Sequence, residues 1–141
     1  MTPPQRITLS RAKGWRMPPN TVKVDRSTCY GNPWGIGNPG RLKLREMPSD
    51  YFVRLPVDQA SAAEAFRLWL TETPAWWMIP PFDAFTTRGW EALWASLNFE
   101  RHAILQHLPE LRGKNLACWC KPGTPCHADV LIELANKEPT P

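Results

Sequence analysis

The sequence predicts an α/β fold, with one small sheet, helices packed on it and long Pro- and Gly-rich loops in a single domain. The chain has 141 residues, which is enough for one hydrophobic core. Short segments with strand-like alternation are followed by longer ones with a helical period. The 16 prolines indicate stiff connections between them. We expect a core over about residues 5–136 and a Pro-rich C-terminal tail over residues 137–141.

The predicted strands are short. Residues 6–9 and 21–25 have the alternating apolar and polar side chains of half-buried strands, and residues 51–55 are a further candidate for a short strand. Residues 115–119 form an apolar run that is typical of a buried strand. Between the second and third strands we predict a long loop over residues 26–45, rich in Gly, Asn and Pro. Loops of this length are uncommon in compact domains and often bind ligands.

Three helices are predicted. The first covers residues 58–72, because Asp58 is a suitable N-cap and the apolar side chains after it recur at helical spacing. The second covers residues 87–108 and follows an irregular apolar segment over residues 75–85. The third covers residues 126–136 and would pack on the sheet.

Charge and composition narrow the classes of partner. The net charge of +4 favours a phosphate-bearing partner such as a nucleotide or a nucleic acid. No apolar run is long enough to span a membrane, and residues 1–11 lack the apolar core of a signal peptide. We therefore expect a cytoplasmic location. There the four cysteines would be reduced, and either functional or metal-bound, rather than joined in disulfides.

Three of these cysteines and one histidine lie within ten residues, where a predicted strand gives way to a helix. Residues two apart in a strand point to the same face, so Cys118 and Cys120 would project together while Trp119 packs on the opposite side. Zinc takes four thiolate or imidazole ligands, and Cys118, Cys120, Cys126 and His127 supply that number. We predict a metal site here, with zinc as the cofactor that suits the donor set.

Other interpretations of this cluster remain open. The spacing departs from the two-residue gaps of common zinc sites, and an iron–sulfur cluster is a variant of the metal hypothesis. The cysteines could instead provide a nucleophile with His127 as its base, or be inert buried thiols with His127 capping the helix. Asp129 shares a helix face with Cys126. It would act as a general base or a partner of His127, or simply balance the helix dipole.

The predicted loop carries a second set of candidate ligand-binding residues. Arg26 follows a strand end, where its guanidinium and the hydroxyl of Thr28 suit a phosphate or carboxylate. Asn32 would orient a base or sugar, and Trp34 would stack on a base. The alternative is a turn-rich loop held by its aromatic side chains. Residues 35–40 match the dinucleotide-binding fingerprint letter by letter, but the prolines in and before them argue against that motif.

Several segments together resemble a known family, namely Arg26–Thr28 with Gly31–Trp34, Phe66–Leu70, Leu111–Cys120 and Cys126–Leu131. They resemble domain-of-unknown-function family 4326, a family of small proteins from bacteria and phages, over roughly residues 5–136. This chain departs from the family pattern at Tyr30, where Trp is more usual, at the variable position of Cys29, and in its longer segment 75–85. The family name implies no activity. It implies one coherent domain in which the loop and the cysteine turn meet.

Two functions follow from these observations. The first is a small cytoplasmic protein that binds a nucleotide or nucleic-acid component in a pocket formed by the loop and the cysteine turn. As an enzyme it would be a nucleotide or nucleobase hydrolase or transferase, with Arg26 holding phosphate and Asp129 or His127 moving protons. The second is a non-enzymatic phage or bacterial binding protein with a structural zinc turn, which would bind its partner through an apolar patch near Trp76 and Trp77.

Overall fold

Five short strands come first in the chain, followed by two helices, a sixth strand and a third helix. The computed structural model describes residues 3–47 and 49–137, so most of the predicted tail lies outside the described residues. The elements in chain order are β1 (Arg6–Thr8), β2 (Thr21–Lys23), β3 (Trp34–Gly35), β4 (Arg41–Leu42), β5 (Tyr51–Phe52), α1 (Gln59–Thr71), α2 (Thr87–His107), β6 (Asn115–Cys118) and α3 (His127–Ala135). The predicted α/β class is confirmed.

The main sheet is parallel and has β6 at its centre. Its order is β1-β6-β2, with Thr8 opposite Cys118 on one side and Val22 opposite Leu116 on the other. Residues 116–118 are fully buried, as expected for a central parallel strand covered on both faces. Because all three strands run the same way, the chain leaves β1, β2 and β6 at one edge of the sheet.

Local hydrogen bonds explain where the first two helices begin. The Asp58 carboxylate accepts a hydrogen bond from the Ser61 amide, and the Ser61 hydroxyl bonds back to the Asp58 amide, which completes a capping box. The N-cap of helix α2 is Thr86, the residue just before the predicted range. Its hydroxyl oxygen accepts a hydrogen bond from the Gly89 amide. The predicted helices are all present, within a residue or two at each end.

A second, antiparallel sheet with the order β3-β4-β5 lies within and after the segment predicted as a loop. The predicted sheet is therefore accompanied by a second one, which the sequence did not predict as a separate sheet. The alternation that forms β4 is visible in retrospect, since Leu42 and Leu44 are buried while Arg41, Lys43 and Arg45 are exposed. Each of these strands has only two residues, which is too short for a periodic pattern to distinguish from a loop.

The core lies between the helices and the two sheets. Trp34 and Trp69 are fully buried and meet edge to face with ring centroids 5.4 Å apart, so β3 packs against α1. Phe66 lies beside Trp69 on the same helix and reaches His127 at the start of α3. Within the described part of the chain, no helix is both long and apolar enough to cross a membrane.

We predict that Gly40→Ala destabilises the small sheet. A Cβ at Gly40 would lie 2.2 Å from Cγ2 of Val57, a branched side chain that has little room to move. The free energy of unfolding should fall by about 1–3 kcal/mol, measured by chemical denaturation. The Cβ of Val57 would also lie 2.5 Å away, so Val57→Gly is the substitution that removes both clashing atoms. In the double variant with Val57→Gly the loss should therefore be smaller than the sum of the two single losses. Additive losses would contradict this explanation.

Candidate functional site

Three cysteines form one cluster at the edge where β6 ends. The Sγ atoms of Cys118, Cys120 and Cys126 all lie within 4.8 Å of one another, and those of Cys118 and Cys126 are 3.1 Å apart. Cys118 is the last residue of β6, and Cys126 is the N-cap of α3. These three side chains could together hold a metal ion. Cys29, the fourth cysteine, lies outside this group.

A tight turn brings the cysteines together. The Lys121 carbonyl oxygen accepts hydrogen bonds from the amide of Thr124 at 3.2 Å and from its hydroxyl at 2.6 Å. Pro122 and Gly123 occupy the two central positions, and the φ of 79° at Gly123 is the left-handed conformation that a type II turn requires. The turn reverses the chain, so that Cys126 returns to Cys118.

Arg6 on β1 holds this turn in place through hydrogen bonds to its backbone. Its guanidinium donates to the carbonyl oxygens of Lys121 at 3.0 Å and Thr124 at 2.5 Å. It also pairs with the Asp129 carboxylate at 2.8 Å. Sequence reasoning missed this role, because an arginine in a short alternating strand looks like an ordinary solvent-facing charge. Arg6 is therefore part of the scaffold of the cysteine turn.

Gln59 connects the start of α1 to the cluster. Its side-chain amide donates to Cys120 Sγ at 3.2 Å and to the Pro125 carbonyl oxygen at 2.7 Å. The sequence signal was partly available, since Asp58 as N-cap makes Gln59 the first residue of the helix. Nothing in the sequence indicated that this end of α1 would face the cysteine turn.

His127 lies beside the cluster but is not one of its three members. Its Nε2 is 2.7 Å from the Val24 carbonyl oxygen, which can only accept, so Nε2 carries the proton. Nδ1 is then unprotonated and lies 3.6 Å from Cys126 Sγ. Burial lowers the pKa of the imidazole, which is consistent with a neutral ring. Among the described residues, the group that could hold a metal contains cysteines only, so the structure brings together three of the four predicted ligands.

The two buried thiols share one hydrogen bond. Donation from Cys126 lowers the pKa of Cys118, which outweighs the opposing effect of burial. The same hydrogen bond, together with burial, raises the pKa of Cys126. Binding of a metal by both sulfurs would therefore displace at least one proton.

A cavity of about 390 Å³ adjoins the cluster, within the range usual for small-molecule sites. It lies at the edge where β2 and β6 end, and both the predicted loop and the cysteine turn contribute to it. Its apolar wall is formed by Trp34, Ile36, Ala62, Ala63 and Trp119. Its polar wall is formed by Asp25, Arg26, Asn32, Gln59 and His127 with the three clustered cysteines.

Arg26 contributes a positive charge to the cavity wall. Its Nη2 donates to the Trp34 carbonyl oxygen at 3.2 Å, and the guanidinium lies against Gly35, where a Cβ would be only 3.2 Å from Nη2. None of the ion pairs among the described residues includes Arg26. Its charge is thus not neutralised by a carboxylate of those residues.

The polar groups of the other loop residues predicted to bind a ligand make hydrogen bonds within the protein. Asn32 donates to the Ala62 carbonyl oxygen at 2.9 Å and accepts the Trp34 amide at 3.0 Å. Trp34 is buried, with its indole N–H donating to the Met78 carbonyl oxygen at 2.7 Å. Both border the cavity with satisfied polar atoms. Thr28 is not part of the cavity lining, and its hydroxyl donates to the Asp25 carbonyl oxygen within the loop.

Asp129 lies on the other side of the cysteine turn. It is ion-paired with Arg6 and borders a second cavity of about 710 Å³, together with Thr8 and residues 122–125. The structure thus brings the predicted loop and the cysteines to one cavity, but it does not bring Asp129 there.

Trp119 differs from its predicted environment. It was expected to pack inside, but 42% of it is exposed. Strand β6 ends at Cys118, so the strand alternation does not extend to this residue. Its indole N–H donates to Asp25 Oδ2 at 2.9 Å, and the Arg11 guanidinium lies 4.6 Å from the ring centroid. The Trp119 ring is therefore held at the cavity by a hydrogen bond at its edge and by the Arg11 guanidinium over one face.

Asp25 is the acidic group of the cavity wall. Burial acts to raise its pKa, but hydrogen bonds from Ser27 and from the Trp119 indole, with the charge of Lys23, outweigh burial and leave the pKa lowered. The carboxylate is therefore ionised at neutral pH. No sequence signal identified it, because its importance comes from the contact with Trp119, which is 94 residues away in the chain.

We predict a pH-dependent effect of Asp25→Asn on stability. A lowered folded-state pKa stabilises the fold above the unfolded pKa of about 3.9, and this contribution is lost as pH falls through the folded-state value. At pH 7 the free energy of unfolding should be about 1 kcal/mol lower for the variant than for the wild type. This difference should shrink below about pH 4. Denaturation of both proteins across pH 2–7 measures it, with Asp50→Asn as the exposed control. A constant difference would refute the role assigned to the carboxylate.

Comparison with known proteins gives a family and no function. No curated protein and no solved structure matched the chain. The model of the family described as Domain of unknown function (DUF4326) matches residues 7–137, which confirms the resemblance to this family. The chain therefore belongs to the DUF4326 family.

Proposed function

We propose that Cys118, Cys120 and Cys126 bind a zinc ion whose remaining coordination position faces the adjoining cavity, and that this cavity binds a nucleotide or nucleic-acid component. The observation that carries the proposal is the convergence of three thiols in the wall of a cavity that also contains Arg26. Thiolates are soft ligands that suit zinc, so the donor set fits this metal.

The number of ligands supports an open site. Structural zinc is held by four protein ligands, whereas catalytic zinc has three and leaves a position for water or substrate. The described residues provide three ligand atoms within range of one another, and all three are cysteine sulfurs. Cys126 at the N-terminus of α3 also accepts the Ala128 amide, and the positive end of the helix dipole favours thiolates there.

The positive charge of Arg26 supports an anionic ligand, while the ionised Asp25 in the same wall is engaged by Ser27 and Trp119. Arg26 has no carboxylate partner among the described residues, and a guanidinium matches the geometry of phosphate oxygens. The net charge of +4 would favour the approach of such a ligand. A nucleotide would supply the phosphate and, in its base, a planar group suited to the aromatic part of the wall.

If the protein is an enzyme, we assign it to hydrolysis or transfer at a nucleotide or nucleobase. Bound zinc would supply Lewis acidity and activate a water molecule. Arg26 would hold the phosphate, Asn32 would shape the wall, and His127 would move a proton through its unprotonated Nδ1. Asp129 has no part in this version, because it pairs with Arg6 outside the cavity.

A binding protein with a purely structural metal is the second candidate. It is favoured by the burial of Cys118 and Cys126, which join β6 to α3, and by the 62% exposure of Trp76. In that case, loss of the metal would unfold the chain, and Trp76→Ala would abolish binding of a protein partner. An open metal site predicts instead that ligand binding depends on the cavity residues.

We predict that Cys126→Ser loses its metal. The purified protein should contain about one zinc per chain by elemental mass spectrometry, and the variant should lose most of it because two thiolates hold zinc poorly. Cys29→Ser is the matched control, since Cys29 is outside the cluster, and it should keep its zinc. Circular dichroism shows whether the loss of metal is accompanied by unfolding.

The proposal of a metal site fails if protein grown with added zinc contains none. It also fails if Cys29→Ser loses as much zinc as Cys126→Ser. Zinc that is lost together with the fold would support the structural alternative.

A further inference from the structure

We infer that the mouth of the cavity binds a nucleoside monophosphate, with its base stacked on Trp119 and its phosphate on Arg26. This inference rests on the proposed function and deepens it, because it names the ligand class and the residues that select it. Neither Trp34 nor Thr28, the residues that the sequence suggested, has this role.

Trp119 is a rigid and accessible aromatic surface. Its edge is fixed by the hydrogen bond to Asp25, one face is covered by Arg11, and 42% of the residue remains exposed. Asp25 is itself held by the amide and hydroxyl of Ser27, at 3.1 Å and 2.5 Å. A side chain ordered before binding loses little entropy when a ligand stacks on it. Half-exposed aromatic rings held in this way are typical platforms for bases.

The face available for stacking is the one that Arg11 leaves free. Trp119 lines the cavity and Arg11 does not, so the part of the ring that borders the cavity is not the face that Arg11 covers. The cation on the outer face would also strengthen stacking on the inner one, because it draws electron density from the ring. Every base has a π face, so this contact tolerates different bases.

The phosphate position follows from the neighbouring residue in the chain. Arg26 comes directly after Asp25, which accepts the hydrogen bond from the Trp119 indole, so the guanidinium and the group that holds the indole come from adjacent backbone positions. The guanidinium packs closely against Gly35, where a Cβ would lie 3.2 Å from Nη2. A cavity of about 390 Å³ is at the small end of ligand sites, which favours a mononucleotide over a dinucleotide.

Three substitutions separate the base contact from the phosphate contact. Trp119→Leu removes the stacking surface, and base–aromatic stacking of the usual strength predicts roughly 5- to 150-fold weaker binding. Trp119→Phe keeps a ring but loses the N–H to Asp25, so its binding should lie between wild type and Trp119→Leu. Arg26→Gln removes the charge that would hold the phosphate. It should weaken binding of AMP but not of adenosine.

The experiment is isothermal titration calorimetry of the full chain with AMP, GMP, CMP and UMP, and with adenosine and inorganic phosphate. Trp76→Leu is the control for Trp119→Leu, because Trp76 is exposed and does not line the cavity. Arg54→Gln is the control for Arg26→Gln, because Arg54 is an exposed arginine outside the cavity. Thermal melts of each variant show that it is folded.

The inference is supported if a monophosphate binds, adenosine and phosphate bind at least tenfold more weakly, and the Trp119 series weakens as described. It is overturned if a monophosphate binds wild type and folded Trp119→Leu equally well, or wild type and folded Arg26→Gln equally well, although nucleotide binding itself would then stand. Absence of binding by all four monophosphates overturns it together with the nucleotide part of the proposed function. The metal part is tested independently by the zinc content.

Discussion

The parallel pairing of β6 between β1 and β2 is the constraint on which the site depends. It places the carboxyl ends of β2 and β6 at the same edge of the sheet, although the residues that pair are more than ninety positions apart in the chain. Asp25 and Arg26 leave one strand there, and Cys118 and Trp119 leave the other. Ligands commonly bind at such edges because the loops that follow parallel strands meet there. The hydrogen bond from Trp119 to Asp25 connects the segments that follow these two strands.

The cluster is held from three directions, which explains how three thiols stay close together. The type II turn sets the path of the chain, Arg6 holds two carbonyl oxygens of that turn, and Gln59 reaches it from α1. The positive end of α3 favours negative charge on Cys126. Without a metal, the short contact between Cys118 and Cys126 is a hydrogen bond that shares one proton. A soft cation would replace this proton and join the same elements.

Much of the fold was predictable from local patterns, and much of the site was not. The three helices have long apolar periods and clear caps such as Asp58, so their positions were found within a residue or two. The second sheet was missed because strands of two residues have no measurable period. The cysteines were found from their spacing, but Gln59, Arg6 and Asp25 were not. Their roles depend on contacts across 61, 115 and 94 residues of sequence, which only the tertiary fold creates. Trp119 was misplaced because the strand pattern was extended one residue too far.

The measurement that tests the central claim most directly is X-ray absorption at the zinc edge of the purified protein. The account predicts three sulfur ligands at about 2.3 Å and one oxygen or nitrogen ligand at about 2.0 Å, without the multiple scattering of an imidazole ring. Addition of a nucleotide that binds should alter the light-atom shell and leave the three sulfurs unchanged. Four sulfur ligands, or a histidine as the fourth ligand, would show a closed site and contradict an open coordination position facing the cavity.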